Sequence, residues 1–185
     1  MFVKTVSRKH LIAIFGSLLP LVFAAPAFAQ PPDATNFVTH LNGAEEVPTR
    51  DCPGQGQVVF QLSKDGTELS YRLIASNINN VVAAHIHIGP LGVNGPVVLF
   101  LFGSPPVPPG GGAQNGVLGE GTATAADLVG PLTGMPMSAL VTNMRTGNAY
   151  VNVHTNDGVA PTNTGCGDFP GGEIRGQIEV AGPQK

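Results

Sequence analysis

Short runs of alternating residues, separated by turns rich in glycine and proline, most constrain how this chain can fold. A repeat of two residues is the spacing of side chains along a β-strand, where successive residues point to opposite faces. In residues 36–42, for example, Phe37, Thr39 and Leu41 would share one face. The chain has 25 glycines and 17 prolines, which favour tight turns between such runs. The pattern therefore predicts an all-β fold.

About eight strands are predicted, together with one short helix. The strands cover residues 36–42, 57–62, 68–75, 81–88, 96–102, 117–124, 149–155 and 173–180. Ser138 is expected to cap a helix over residues 139–145, and Gly147 to end it. Residues 103–116, with four prolines and five glycines, are expected to form a mobile surface loop. This number of short strands predicts a two-sheet β-sandwich.

The N-terminus has the three parts of a secretory signal peptide. Lys4, Arg8 and Lys9 precede an apolar run over residues 11–25, and Ala27-Phe28-Ala29 forms a cleavage site. A membrane anchor is the alternative, but the apolar run is short for a membrane span. We therefore expect residues 1–29 to be a cleaved signal peptide and residues 30–185 to be one domain. The protein would be secreted or periplasmic, with no transmembrane segment after cleavage.

The charge balance argues against polyanionic partners. Without residues 1–29 the chain has six basic and twelve acidic residues, a formal charge of −6. No cluster of lysine and arginine is present, whereas a phosphate-binding surface needs concentrated positive charge. Nucleic acid and anionic membrane surfaces are therefore not expected as partners.

Cys52 and Cys166 are the only two cysteines in the chain. In an oxidising compartment a single pair is most simply a disulfide. It would close a loop of more than one hundred residues and contribute at most about 4–5 kcal/mol in the chain-entropy model. A role as thiolate metal ligands remains the alternative.

Three histidines are the candidate metal ligands. His85 and His87 lie two residues apart in a predicted strand, so both rings point to one face. His154 shares a face with Tyr150 and Asn152 in a later strand. If the two strands are neighbours, three imidazoles converge in a set that suits zinc or copper.

Two questions about this histidine group stay open at the level of sequence. Asp157 or Glu173 could add an oxygen ligand or orient a histidine. Alternatively, the histidines are structural and only form hydrogen bonds between strands. Copper or zinc is therefore an expected cofactor only under the first interpretation.

Four motifs in the chain resemble the chordin-type (CHRD) domain family. They are LNGAEEVP at residues 41–48, AHIHIGP at 84–90, NAYVNVHT at 148–155 and GEIRGQI at 172–178. They follow the order of the family and span a core of about residues 36–180. The resemblance implies an immunoglobulin-like β-sandwich. The family was defined from repeats in chordin, an extracellular binder of growth factors, but chordin's cysteine-rich modules are missing here, so growth-factor binding is not implied.

Glu46 and Arg175 belong to the first and last of these motifs. We predict a structural ion pair that joins the first and last strands, which would matter mostly when broken. A catalytic carboxylate activated by arginine is the alternative. No serine lies in a nucleophile motif, and no glycine-rich loop with a lysine is placed to bind phosphate.

The expected function is a non-catalytic binding or structural module of the cell envelope or extracellular space, with an unidentified protein partner. One alternative is a copper or zinc carrier that uses His85, His87 and His154. A metal-dependent enzyme is the second alternative, for which the sequence offers only the candidate ligands.

Overall fold

The computed structural model describes residues 35–103 and 109–182, so the predicted signal peptide lies outside the described residues. Within these ranges the chain forms nine strands and one α-helix. They are β1 (Asn36–Asn42), β2 (Gln55–Leu62), β3 (Glu68–Asn79), β4 (Val81–Ile88), β5 (Val97–Phe102), β6 (Ala113–Thr124), α1 (Met137–Arg145), β7 (Ala149–Thr155), β8 (Ile174–Gln177) and β9 (Glu179–Val180). Three single-turn 3₁₀ helices cover Gly43–Glu45, Ala125–Asp127 and Gly130–Leu132.

All nine strands belong to one hydrogen-bonded antiparallel sheet. The order is β5-β4-β7-β8-β1-β2-β3-β6, and β9 pairs with β1 beside β8. The consecutive strands β1, β2 and β3 form a meander. By contrast, β7 is inserted between β4 and β8, although it follows β4 by some sixty residues. The two strands that carry the candidate histidines are therefore direct neighbours.

The sheet curls until its two edge strands meet. The Tyr71 hydroxyl on β3 donates to the Leu101 carbonyl on β5 at 3.2 Å. A Cβ at Gly119 on β6 would lie 2.6 Å from the same carbonyl oxygen. Two register shifts between β3 and β6 accompany this curvature, since bulges bend a strand and increase its twist. The result is a nearly closed, barrel-like sheet.

The hydrophobic core fills the inside of this curled sheet. The alternation in β4 and β7 turns Ala84, Ile86, Val151 and Val153 inward, and all four are buried. The helix α1 adds Met137, Leu140, Val141 and Met144 to the same core. Because β4 and β7 use their apolar faces in this way, their opposite faces must carry the histidines.

The predictions about secondary structure are confirmed in class, but three elements differ from the structure. The structure confirms an all-β chain with eight to nine strands and one short helix. The helix begins at Met137 after Pro136, so Ser138 lies inside it and does not cap it. The strand β6 begins at Ala113, within the predicted loop over 103–116. The predicted last strand is divided into β8 and β9, which pair with different neighbours.

The two separate sheets of an immunoglobulin-like sandwich are not confirmed, because the strands pair into one continuous sheet. Alternation identifies the buried face of each strand, and a sandwich and a barrel have the same buried faces. Only strand pairing distinguishes them.

In the part of the chain that the structure describes, no helix has the length and apolar character needed to cross a membrane.

Candidate metal centre

The candidate histidines lie on the face of β4 and β7 that points away from the hydrophobic core. In the antiparallel register His85 is opposite Asn152, His87 opposite Tyr150, and His154 opposite Ala83. Residues directly opposite each other in an antiparallel pair project to the same side of the sheet. The neighbouring strand β8 adds Arg175, which is opposite Asn152. We call this set the polar face: His85, His87, Tyr150, Asn152, His154 and Arg175.

The three imidazoles of the polar face converge. His85 Nδ1 lies 3.0 Å from His154 Nε2, and the three candidate ligand nitrogens all lie within 4.8 Å of one another. Ligand nitrogens about 2.0–2.1 Å from a shared ion fall in this range of separations. The structure therefore brings together His85, His87 and His154 with a spacing that one metal ion fits.

Backbone carbonyls orient two of the three rings. His87 Nδ1 is 2.9 Å from the Gly95 carbonyl, and His154 Nδ1 is 2.8 Å from the Pro170 carbonyl. A carbonyl can only accept, so Nδ1 carries the proton in both rings and Nε2 keeps its lone pair. This is the arrangement typical of metal-ligating histidines, whose second nitrogen donates to a carbonyl or carboxylate.

Two ring nitrogens in this group are buried and form no hydrogen bond of regular geometry. They are His85 Nε2 and His87 Nε2, and the Asn152 side chain lies near the second. His87 and His154 are 7% and 9% exposed, and His85 is partly buried. A buried polar atom without a partner costs free energy. A bound ion would satisfy the lone pair of His87 Nε2, and it would replace the short contact between His85 Nδ1 and His154 Nε2.

The environment keeps the rings neutral. Burial, with the nearby His154 and His87 as smaller influences, lowers the pKa of His85 from 6.5 to about 3. Burial also lowers the pKa of His154 to about 4 and shifts the pKa of His87 in the same direction. The neutral imidazole is the form that binds metals.

Aromatic and cationic groups pack beside the histidines. The Phe100 ring on β5 meets His85 edge-on, with 4.7 Å between centroids. Tyr150 stacks on His87 at 4.9 Å with 13° between the ring planes. The Arg175 guanidinium lies over the Tyr150 ring, 3.5 Å from the ring centroid. The histidines are thus fixed within a packed layer.

Glycine is required where the loop over residues 89–95 returns to the strand. A Cβ at Gly95 would collide with the Ile88 carbonyl oxygen. The Gly95 carbonyl is the acceptor for His87, and its amide donates to the Tyr150 hydroxyl at 3.0 Å. The close approach of this loop therefore positions two members of the polar face.

Glu46 and Arg175 do not form the direct ion pair that the sequence predicts. Among the described residues, no salt bridge within 4.0 Å joins them. The Arg175 guanidinium instead donates to the Pro90 and Val93 carbonyls at 3.3 and 3.0 Å and to Asn94 Oδ1 at 3.0 Å. A loop from a different motif thus takes up its donors, a contact between distant segments that sequence spacing does not reveal.

Glu46 lies buried near the polar face, and its Oε1 forms no hydrogen bond of regular geometry, although the Asn152 side chain lies near it. Its Oε2 accepts from the Val47 amide at 3.3 Å. Burial raises the pKa of Glu46 from 4.5 to about 6, against smaller lowering influences that include the charge of Arg175. The two residues therefore interact electrostatically without forming a direct ion pair.

The predicted disulfide is present. Cys52 and Cys166 are joined, with Cα atoms 5.6 Å apart and a separation of 114 positions in sequence. The bond ties the segment after β1 to the loop that carries Pro170, the acceptor for His154. It therefore joins two segments that border the polar face.

Neither Asp157 nor Glu173 joins the three histidines as a ligand. The cluster of ligand atoms at this place contains His85, His87 and His154 alone among the described residues. Glu173 Oε2 accepts from the Thr155 hydroxyl at 2.7 Å and the Gly167 amide at 2.6 Å. Asp157 Oδ1 accepts from the Val159 amide at 2.8 Å. Both carboxylates thus accept hydrogen bonds from the end of β7 or from the loop that follows it.

Sequence reasoning missed the groups that orient the histidines. The carbonyls of Gly95 and Pro170 leave no trace in side-chain patterns. The stacking of Tyr150 on His87 had a partial signal, since Tyr150, Asn152 and His154 alternate along one strand. Nothing in the sequence indicated the contact between Arg175 and Tyr150.

The chain matches the family model of the CHRD domain over residues 37–178, and it therefore belongs to the CHRD domain family. No curated protein and no solved structure is significantly similar to it. The four motifs named above converge in the structure. Three of them supply the polar face, and the first supplies the buried Glu46 beside it.

Proposed function

We propose that this protein is an exported, non-catalytic CHRD module that binds one copper or zinc ion through His85, His87 and His154. Membership of the CHRD family supports the module. The observation that supports the metal site is the convergence of three neutral imidazoles, including buried ring nitrogens that form no hydrogen bond of regular geometry. A carrier or sensor of the ion is the role that fits such a site.

Export is part of this proposal. The N-terminal pattern of basic, apolar and small residues supports a cleaved signal peptide. The disulfide between Cys52 and Cys166 is in keeping with an oxidising compartment. Sequencing the N-terminus of the secreted protein tests it: cleavage after Ala29 is expected, and a retained N-terminus would contradict export by this route.

Titration with copper and with zinc tests the metal site. Wild-type protein is expected to bind one ion, and His87→Ala to lose affinity by at least about 100-fold, because losing a ligand costs more than losing a group that orients one. His40→Ala is the matched control, since His40 is exposed on β1 and should leave affinity unchanged. Equal, weak binding by wild type and His87→Ala would refute the site.

A second candidate function is recognition of a protein partner through the outer face of β2, β3 and β6. Val59, Ile74 and Val117 are large apolar residues exposed by 48%, 39% and 47%, and Ile74 is opposite Val117 in register. Crosslinking in envelope extracts should recover a partner from wild type, but not from a Val59→Glu, Val117→Glu variant. Identical crosslinking by both proteins would contradict this surface.

A further inference from the structure

We propose that the three-histidine centre selects the monovalent ion Cu(I) over the divalent ions Zn(II) and Cu(II). This inference rests on the proposed function and adds the charge of the ion. Two features of the polar face support this selection. The three ligands are neutral, and the group stacked beside them, Arg175, is a buried cation.

The ligand set does not offset the charge of the ion. Of the described residues, only His85, His87 and His154 contribute ligand atoms to this group, and no carboxylate or thiolate is among them. In Born's description the cost of moving an ion out of water rises with the square of its charge, so a divalent ion costs about four times as much as a monovalent one. Neutral ligands in a buried site therefore favour the lower charge.

The buried cation is Arg175, whose residue is 0% exposed. Its guanidinium lies 3.5 Å from the Tyr150 ring centre, and Tyr150 stacks on His87. The three acceptors of its hydrogen bonds, two carbonyls and the Asn94 amide, are all neutral. The positive charge therefore acts on the histidine centre through the stacked rings of Tyr150 and His87, and a buried charge is screened less than an exposed one.

Glu46 is the carboxylate that comes nearest to offsetting this cation. It forms no salt bridge with Arg175, since no carboxylate oxygen of Glu46 lies within 4.0 Å of a guanidinium nitrogen. Its Oε1 lies instead against Gly172 and the Asn152 amide, since a Cβ at Gly172 would be 2.5 Å from Glu46 Oε1 and 2.6 Å from Asn152 Nδ2. Glu46 therefore moderates the field of Arg175 but supplies no ligand to the ion.

Ligand type and number agree with this selection. Imidazole suits copper as well as zinc, so the ligands themselves do not exclude Cu(I). Where a protein supplies three ligands, zinc takes a water as its fourth, whereas Cu(I) forms stable complexes with three ligands and needs no water. The described residues supply three.

Competition titrations of the purified protein test this selection. Cu(I) is presented without oxygen, with ascorbate as reductant in place of a thiol, so that the Cys52–Cys166 disulfide stays closed. Bicinchoninate competes for Cu(I), and chromogenic indicators compete for Zn(II) and Cu(II). We expect one Cu(I) per chain, bound at least about tenfold more tightly than either divalent ion, a difference of about 1.4 kcal/mol.

Substitution of Arg175 tests the cause. Arg175→Met removes the cation and should reduce the preference for Cu(I) over Zn(II) by about tenfold. Arg175→Lys keeps the positive charge and should retain the preference within about threefold. Circular dichroism and thermal unfolding establish that each variant is folded. If Arg175→Met does not fold, the wild-type competition still decides whether the site selects Cu(I). Loss of the preference in Arg175→Lys would then overturn the role of the positive charge.

The outcomes separate this inference from the proposed function. Divalent ions bound as tightly as Cu(I), with binding lost in His87→Ala, would overturn the selection and leave the metal site standing. A folded Arg175→Met variant with unchanged preference would overturn the role of the cation. Absence of binding by every ion would overturn the metal site itself, and the selection with it.

Discussion

Arg175 in the polar face and Glu46 beside it carry charge in places where charge is costly. Arg175 is fully buried, and Glu46 is 4% exposed. Arg175 offsets its burial with three hydrogen bonds and a stacked aromatic ring. Glu46 has fewer partners, and this difference explains why burial dominates its titration. We therefore expect Glu46 to oppose folding when it is ionised.

Glu46→Gln should remove a pH-dependent loss of stability. The folded state favours protonated Glu46, because its pKa is raised from 4.5 to about 6. Its contribution is thus fully present below pH 4.5 and is lost as the pH rises through about 6, by at most about 2 kcal/mol. Glutamine stays neutral, so the variant should gain stability relative to wild type over this window.

Urea unfolding with a chelator present, at intervals from pH 4.5 to 7.5, measures this difference. Glu68→Gln is the matched control, since Glu68 is exposed on β3 and should follow wild type at every pH. A constant difference between Glu46→Gln and wild type across the window would show that the carboxyl titrates normally.

At the scale of elements, one loop connects the strand β4 to the stack on β7. The loop over residues 89–95 supplies the acceptor for His87, a contact to Tyr150 and the acceptors for Arg175. The path of the loop back to the sheet requires glycine at position 95, because a side chain on Gly95 would collide with the Ile88 carbonyl. The loop thus couples the stability of the fold to the geometry of the candidate site.

Gly95→Ala should therefore affect both properties at once. The added methyl group must displace the loop, and we expect a loss of about 1–3 kcal/mol in the free energy of unfolding together with weaker metal binding. Gly111→Ala is the control, because a Cβ there meets no atom within 4 Å. Calorimetry and metal titration measure the two effects. Unchanged metal affinity in a destabilised Gly95→Ala variant would separate the loop from the site.

The sequence predicted which strands and helix form more accurately than it predicted the residues at which they begin and end. The strands β4 and β7 were predicted with the bounds they have in the structure, because their alternation is regular. The start of α1 was wrong, since Ser138 resembles a cap but the chain already turns at Met137. The start of β6 was also wrong, because its glycines favour a loop when the sequence is considered alone. Pairing with β3 makes this segment a strand.

At the scale of the whole molecule, the disulfide joins segments that the sheet does not. Cys52 precedes β2, and Cys166 lies in the loop between β7 and β8. Cross-linking distant positions restricts the unfolded chain far more than the folded one. The bond therefore stabilises the molecule mainly by limiting its unfolded ensemble.

Cys52→Ser, Cys166→Ser should lower the free energy of unfolding by at most about 4–5 kcal/mol. Chemical unfolding of the variant and of wild type, each with and without a thiol reductant, measures the loss. The reductant should destabilise wild type and leave the variant unchanged. Equal stability of wild type and variant under oxidising conditions would show that the cross-link does not contribute.

The sequence by itself determined the all-β class, the family and the two histidine-bearing strands. These properties follow from local alternation and from motifs, which are written within short stretches of chain. Only the tertiary structure decided that β7 pairs with β4, that the sheet curls into one barrel-like layer, and that Arg175 packs on Tyr150 and not against Glu46. Pairing joins residues far apart in sequence, and its energy depends on contacts that no single segment encodes. For the same reason, the three histidines became a candidate metal centre only when the strands met.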